Sequence, residues 1–211
     1  MTEDETMQPF EMMVGAILTQ NSAWRNVELA IAALHNADLL HAERLLHTDA
    51  ATLQQLIRPS GYFRQKAARL HRLAEFYCSF ESVEMMRERA HLEMRSRLLS
   101  INGVGPETAD SILLYALQRP SFVIDSYTKR LLSRLGVVDE AINYDALQQL
   151  FHRHLPADTT LFQEYHALIV IHAKQHCRKQ PVCSGCPLQE SLQCSYTDHA
   201  ATARTCKELT D

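Results

Sequence analysis

The chain contains 211 residues, 46% hydrophobic and 22% charged, which fits one or two globular domains and excludes a disordered chain. It has only 6 glycines and 7 prolines, whereas sandwiches and barrels need many turn residues, so we expect an all-α fold. No apolar run approaches the ~18 residues of a membrane span and the start is acidic, which predicts a soluble, cytoplasmic protein. The net charge of −4 divides into −6 over residues 1–57 and +2 over 58–211, so the total does not exclude a local basic face.

The first half of the sequence has a helical period. Apolar residues recur at three-to-four spacing over residues 9–20 and 23–37. Asp49 precedes a further helical segment in the position of an N-cap. A Pro-Ser-Gly break at 59–61 leads into a long helix, and residues 81–98 are predicted to form one more helix.

A run of basic residues begins at this break and ends before the next acid, Glu75. It comprises Arg58, Arg64, Lys66, Arg69 and Arg72. Such a run is most often a solvated helix face, which is our interpretation, and the alternative is a patch that faces phosphates.

Residues 97–117 read as a helix, a turn with two glycines and a second helix. Gly103 and Gly105, on either side of Val104, allow the backbone to approach a ligand, and Pro106 fits the first position of the second helix. The amides that open this helix carry a positive partial charge. Together these features favour a helix–hairpin–helix that binds a DNA phosphate over a plain tight turn.

Asp125 stands between a short apolar run and a helix that Gly136 closes. From position alone it is predicted to be the N-cap of that helix, a role that aspartate favours. The alternative is a carboxylate held at the helix start to activate water or to stabilise a cationic sugar. Two more helices are predicted around residues 144–154 and 161–176.

Four of the six cysteines fall close together near the end of the chain: Cys177, Cys183, Cys186 and Cys194. Without a secretory signal, this clustering indicates a metal site, whereas Cys78 and Cys206 are interpreted as ordinary thiols. Four thiolates hold either zinc or a [4Fe–4S] cluster. One close pair with two outlying ligands fits the cluster better than the two close pairs of a structural zinc site.

The ordered motifs LTQNSAW, INGVGPETAD and VIDSYTKRLLSRLG, followed by the four-cysteine loop, resemble the endonuclease III branch of the helix–hairpin–helix (HhH-GPD) DNA glycosylases. The resemblance implies two helical domains. A six-helix domain over residues 1–119 carries the hairpin, and a second over 120–211 carries a [4Fe–4S] loop at 177–194. It also implies a monomer that binds damaged double-stranded DNA and flips the target nucleotide out of the duplex.

The resemblance also implies roles for individual residues. Asp125 matches the catalytic aspartate, and Gln20 matches the residue that fills the space left by the flipped base. The phosphate-binding hairpin corresponds to Gly103, Val104 and Gly105. The ligands of the cluster correspond to Cys177, Cys183, Cys186 and Cys194. Their spacing of five, two and seven intervening residues differs from the usual six, two and five of the family.

Glu107 stands where bifunctional members of the family carry the lysine that attacks the sugar. A carboxylate cannot form the Schiff base that β-elimination requires, so this residue predicts a monofunctional enzyme without AP lyase activity. An acid in the first turn of a helix also complements the helix dipole. Lys129 is the lysine nearest to Asp125 in sequence, but its position does not match that of the family lysine.

The segments AILTQNSAW, RPSGYFRQKAARL and GVGPETADSILLY look most like the 3-methyladenine DNA glycosylase III members, which also carry Glu after the hairpin. We therefore expect an alkylated purine as substrate, because its cationic base leaves readily and stacks in an aromatic pocket. The candidate pocket residues are Trp24, Tyr62, Phe63 and Tyr127. Adenine-mismatch glycosylases carry an acid in the helix near Ala16, and the alanine here argues against that activity.

Three other functions stay open at the level of sequence. One is a bifunctional endonuclease III-type glycosylase and AP lyase that acts on oxidised pyrimidines. The second is a non-catalytic relative that binds DNA structure through the hairpin. The third is a zinc-stapled helical protein unrelated to DNA repair.

Overall fold

The computed structural model describes residues 8–191 and residue 194. The chain divides into two compact units, Met1–Ser121 and Phe122–Asp211. All regular structure in the described residues is helical, which confirms the all-α prediction. None of the helices described is both long enough and apolar enough to cross a membrane.

The first unit is built from short and medium helices joined by tight turns. A 3₁₀ turn at Arg58–Ser60 precedes the longest helix, and a π-helical stretch, Ile112–Ala116, continues the last one. The α-helices described in this unit are α1 (Pro9–Leu18), α2 (Trp24–Asn36), α3 (Ala42–His47), α4 (Ala50–Leu56), α5 (Phe63–Cys78), α6 (Val83–Glu88), α7 (His91–Leu99) and α8 (Pro106–Ser111).

Helix α1 lies at the centre of the first unit. It packs against α2, α5, α8 and the π-helical stretch, and five of its ten residues are buried. Four of them, Met13, Val14, Ile17 and Leu18, are fully buried. Each such side chain stabilises the fold by about 1.5–3 kcal/mol relative to an exposed position. The buried side chains therefore hold the end of α1 in place, and with it the start of the loop that carries Gln20.

Two predicted local signals are confirmed in this unit. The carboxylate of Asp49 caps α4 by accepting hydrogen bonds from the amides of Ala51 and Thr52, each at 3.0 Å. The Pro-Ser-Gly break precedes α5, as the sequence indicates.

The single helix predicted over residues 81–98 is wrong, because α6 and α7 are separated by extended backbone at Arg89 and Ala90. No glycine or proline marks this break. Instead, the carbonyl of Arg89 accepts a hydrogen bond from Arg119, and its guanidinium pairs with Glu93 at 3.3 Å. One of these contacts, from Arg119, comes from a residue 30 positions away, so the break depends in part on the tertiary fold.

A buried ion pair joins the two helices on either side of the predicted hairpin. Arg95 of α7 donates through Nε and a terminal nitrogen to both carboxylate oxygens of Asp110 in α8, at 2.9 and 3.0 Å. Asp110 is fully buried, and the hydroxyl of Ser121 donates to it as well, at 2.7 Å. Paired donors from a planar guanidinium fix geometry as well as distance, so α7 and α8 are held in one relative orientation.

The second unit contains the described helices α9 (Ser126–Arg134), α10 (Tyr144–His154), α11 (Thr159–Gln175) and α12 (Pro187–Ser191). The helices predicted around residues 144–154 and 161–176 are thus confirmed. Aromatic rings form much of the core: Phe122 stacks on Phe151 with ring centroids 3.7 Å apart and meets Phe162 edge-on. This packing fixes the segment just before Asp125 against α10 and α11.

Candidate functional site

The turn between α7 and α8 forms the hairpin that the sequence predicts. The amide of Val104 donates to the carbonyl of Ile101 at 2.9 Å, and the Val104 side chain is buried. Gly103 has a positive φ of +95°, a conformation that L side chains rarely adopt. Gly105 is extended and caps α8, whose first residue is Pro106, as expected.

Gln20 is bound directly to this hairpin. Its Nε2 donates to the carbonyl oxygen of Gly103 at 3.1 Å and to Oγ1 of Thr108 at 2.9 Å. Its Oε1 accepts a hydrogen bond from the guanidinium of Arg69. The side chain thus has partners on both its donor and acceptor ends, and it links the loop after α1 to the start of α8.

The interpretation of the basic run as a solvated helix face is wrong for two of its members. Lys66 is 1% exposed, and its Nζ donates to the carbonyl oxygens of Leu18 and Ser60 at 2.8 and 2.7 Å. Burial, together with the nearby positive charge of Arg69, lowers the pKa of Lys66 to about 8. Lys66 joins the end of α1 to the 3₁₀ turn, and Arg69 holds Gln20, which is bound to the hairpin.

Several other predicted residues lie in the same unit. Glu107 is exposed in the first turn of α8. Trp24 and Tyr62 are 55% and 64% exposed, and Tyr62 has a positive φ of +46° at the N-cap of α5. Phe63 packs against the hydrophobic core instead. In this unit, two of the predicted aromatic residues are therefore exposed, and the third is partly buried.

Asp125, in the second unit, is the N-cap of α9. Its Oδ1 accepts hydrogen bonds from both the amide and the hydroxyl of Thr128, at 2.7 and 2.8 Å. Its Oδ2 lies 3.6 Å from Nε2 of His166 on α11. The side chains of Asp125 and His166 are only 12% and 14% exposed. The carboxylate is therefore held by its cap while its second oxygen faces an imidazole.

Opposing effects act on the protonation of Asp125. Burial raises the pKa of this carboxyl, but the interactions with His166 and Thr128 outweigh it, and the net pKa lies below the usual value. The amide end of α9 also favours a negative charge. Asp125 is thus an ionised, largely buried carboxylate near neutral pH, which can stabilise positive charge or orient a water molecule.

The four clustered cysteines line a single pocket of about 410 Å³ that includes space open to solvent. Burial raises the pKa of the Cys183 thiol, and so do the nearby Cys194, Cys186 and Cys177, whereas Arg134 lowers it. Among the described residues, no three His, Cys, Asp or Glu side chains are grouped closely enough to hold a metal ion. Cys78 is exposed, and Cys206 lies outside the described residues.

Two arginines of α9 bind the segment that begins at Cys177. Arg130 donates to the carbonyl oxygen of Cys177 at 2.8 Å, and its guanidinium lies over the ring of Tyr127. Arg134 donates to the carbonyl oxygens of Arg178 and Lys179 and lies 3.4 Å from the sulfur of Cys177. Helix α9 therefore carries Asp125 at its start and supports the cysteine segment with later residues.

Sequence reasoning missed the supporting role of the side chains that hold the predicted ones in place. They are Arg69, Thr108, Thr128, His166, Arg130 and Arg134. Thr128 carried a local signal, because a hydroxyl three residues after an N-cap aspartate is within reach of it. His166 carried none, because its position beside Asp125 depends on how α11 packs against α9.

The helical fold and its hairpin define a helix–hairpin–helix protein. Comparison with known proteins shows which family of such proteins the chain belongs to. Residues 14–157 match the HhH-GPD superfamily of base excision DNA repair proteins. This chain is a member of that superfamily.

Individual relatives support the same assignment. A protein of Methanocaldococcus jannaschii, provisionally named a DNA repair glycosylase, is 50% identical over 184 residues, which cover 86% of this chain and 84% of the relative. Endonuclease III of Sulfolobus acidocaldarius is 26% identical over 91% of this chain and 84% of its own. The 3-methyladenine DNA glycosylase of H. pylori bound to 1,N6-ethenoadenine has a TM-score of 0.71 at 30% identity, over 82% of this chain and 87% of its own.

A comparison of two glycine substitutions tests the hairpin. A Cβ at Gly103 would lie 2.4–2.7 Å from the side chain of Arg69, and its φ is positive, whereas a Cβ at Gly105 meets nothing within 4 Å. We expect Gly103→Ala to lower the free energy of unfolding by about 1–3 kcal/mol, because the backbone becomes strained and the Arg69–Gln20 contact must shift. The matched control Gly105→Ala should change it by less than about 1 kcal/mol. Urea unfolding measures both, and equal effects would contradict this account of the hairpin.

Proposed function

We propose that this protein is a monofunctional DNA glycosylase that removes alkylated purines, such as 3-methyladenine, from double-stranded DNA by hydrolysis. The observation that carries the proposal is the environment of Asp125, an ionised carboxylate with one oxygen fixed by Thr128 and the other turned towards His166. The likeness to the H. pylori 3-methyladenine DNA glycosylase, at 30% identity, supports the choice of substrate class.

In the proposed reaction, Asp125 stabilises positive charge on the sugar and orients the attacking water. An alkylated purine is cationic, so it leaves as a neutral base and needs little help from an acid. The sugar then carries the positive charge, and a nearby carboxylate lowers the energy of that state. The water forms the new bond to the sugar carbon and gives its proton to the carboxylate, while the electron pair of the broken bond leaves with the base.

The exposed side chain of Glu107 supports a single, hydrolytic activity. The family lysine forms a covalent imine with the sugar before strand cleavage, and a carboxylate has no amine with which to do so. We therefore propose that the enzyme leaves an intact abasic strand.

The first unit would bind the DNA backbone through the hairpin, with Gly103, Val104 and Gly105 close to a phosphate. Gln20 would fill the space left by the flipped base, and its bonds to Gly103 and Thr108 would connect that space to the phosphate contact. The exposed rings of Trp24 and Tyr62 are suited to stacking on a cationic base. The proposed partner is a damaged duplex bound by one protein chain.

The four-cysteine pocket suits a [4Fe–4S] cluster held by Cys177, Cys183, Cys186 and Cys194. Its donor set is entirely thiolate, and the guanidinium of Arg134 beside the Cys177 sulfur would offset negative charge and donate to sulfur. When bound, the cluster would crosslink the segment and supply an electron-transfer centre. Ligands that are not yet grouped closely are brought together as metal binds, so folding of the segment would be coupled to the cluster.

Treatment of a methylated duplex with the protein, followed by a denaturing gel, tests the reaction. We expect strand breaks only after an alkali step, because hydrolysis leaves an abasic site and no lyase follows. A duplex with an oxidised pyrimidine should stay intact, and borohydride should trap no covalent adduct.

Two results would contradict this function. Breaks without alkali would mean that another amine replaces the family lysine. Binding to abasic DNA without release of any damaged base would indicate a non-catalytic relative.

The cluster is tested by the colour and metal content of the purified protein. We expect broad visible absorbance and about four iron atoms per chain, because a [4Fe–4S] cluster absorbs visible light and zinc does not. Cys183→Ser should remove both signals, whereas the matched control Cys78→Ser, at an exposed cysteine outside the pocket, should keep them. A colourless protein that contains zinc would overturn the cluster assignment.

A further inference from the structure

The two carboxylate oxygens of Asp125 make different contacts. Oδ1 is committed to the helix cap by its two hydrogen bonds from Thr128. Oδ2 takes no part in the cap, so it is the oxygen that can meet a substrate or a water molecule. Its neighbour is Nε2 of His166, at 3.6 Å.

We propose that His166 is a positioning residue for Asp125: its Nε2–H holds Oδ2 in one direction, so that the remaining lone pair of this oxygen receives the attacking water. This inference rests on the proposed function. The 3.6 Å separation is longer than the roughly 2.7–3.2 Å of an N–H···O hydrogen bond, so the bond forms only when the two groups move closer. Hydrogen bonds between catalytic groups are often long in the free enzyme and shorten when the substrate binds.

Helix α11 gives His166 a fixed position. Its start is capped by Asp158, which accepts a hydrogen bond from the amide of Leu161 at 2.8 Å. Phe162 and Ile169, four residues before and three residues after His166, are both buried. Residues at this spacing share one face of a helix, so His166 is carried on the face that packs into the unit.

Two cationic side chains of α9 have partners away from Asp125. Arg130 and Arg134 donate to backbone oxygens of residues 177–179. On α11, Glu164 is exposed, and His172 lies near Cys186. Among the described residues, His166 is therefore the titratable side chain that interacts directly with the Asp125 carboxylate.

Loss of His166 should have two measurable effects. The first is a slower chemical step, because Oδ2 and the water it orients are free to turn away from the sugar. The second is a higher pKa of the Asp125 carboxyl, because burial is then opposed only by Thr128 and the helix end. The second effect does not depend on any enzymatic activity.

The test compares His166→Ala with His166→Gln, whose amide places an N–H near the position of Nε2. Single-turnover base release from a methylated duplex should fall on the order of 10²-fold in His166→Ala and by less than about tenfold in His166→Gln. Affinity for abasic DNA should not change in either variant. The matched control Glu164→Ala, on the exposed face of the same helix, should keep the wild-type rate.

A double-mutant cycle separates positioning from a general structural role. If His166 acts through Asp125, His166→Ala should cause no further loss of rate in an Asp125→Asn background. A further loss of the same size in that background would overturn the proposal. Equal losses in His166→Ala and His166→Gln would also overturn it, because the donated hydrogen bond would then not matter.

Carbon-13 NMR titration of the Asp125 carboxyl distinguishes failure of this inference from failure of the proposed function. A pKa that rises in His166→Ala and stays near the wild-type value in His166→Gln supports the positioning role. An unchanged pKa in His166→Ala overturns it. If the wild-type protein releases no base from any damaged duplex, the proposed function fails, and this titration still decides whether His166 controls Asp125.

Discussion

The bond between Asp125 and the start of α9 is the interaction on which the candidate site of the second unit depends. The carboxylate satisfies the amide of Thr128, which would otherwise have no partner in the first turn of the helix. The same helix supports the cysteine segment through Arg130 and Arg134. The hydrogen bonds that cap the helix therefore also fix the position of the Asp125 carboxylate. The cap uses Oδ1, so the catalytic role that we propose for Asp125 can use Oδ2, the other oxygen of the same carboxylate.

In the first unit, a comparable constraint is the binding of Gln20 to the hairpin. Arg69, Gln20, Gly103 and Thr108 form one hydrogen-bonded chain that joins α5, the loop after α1 and the start of α8. The buried Lys66 holds the end of α1 to the turn that precedes α5. For a DNA glycosylase, such rigidity has a use, because a phosphate contact and a base-replacing side chain would then keep a fixed spacing.

Much of the fold was predictable because its signals are local. The caps at Asp49 and Asp125, the proline at the start of α8 and the Pro-Ser-Gly break each act within a few residues, and each is confirmed. The break at Arg89 was not predictable, because no glycine or proline marks it and its contact with Arg119 forms only in the folded chain. The burial of Lys66 was missed for a similar reason. A lysine between arginines in the sequence is expected to be solvated, and its two carbonyl partners, on Leu18 and Ser60, come close only in the folded chain. His166 belongs to the same class, since only the packing of α11 brings it to Asp125.

The most direct test of this account is the rate of base release by Asp125→Asn on a methylated duplex, measured together with affinity for abasic DNA. Asparagine also caps helices well, so the variant should keep its fold and its DNA affinity. We expect base release to fall on the order of 10²- to 10⁴-fold, because the amide cannot stabilise the positive sugar or accept the proton of water. Unchanged base release would contradict the assignment of Asp125 as the catalytic carboxylate.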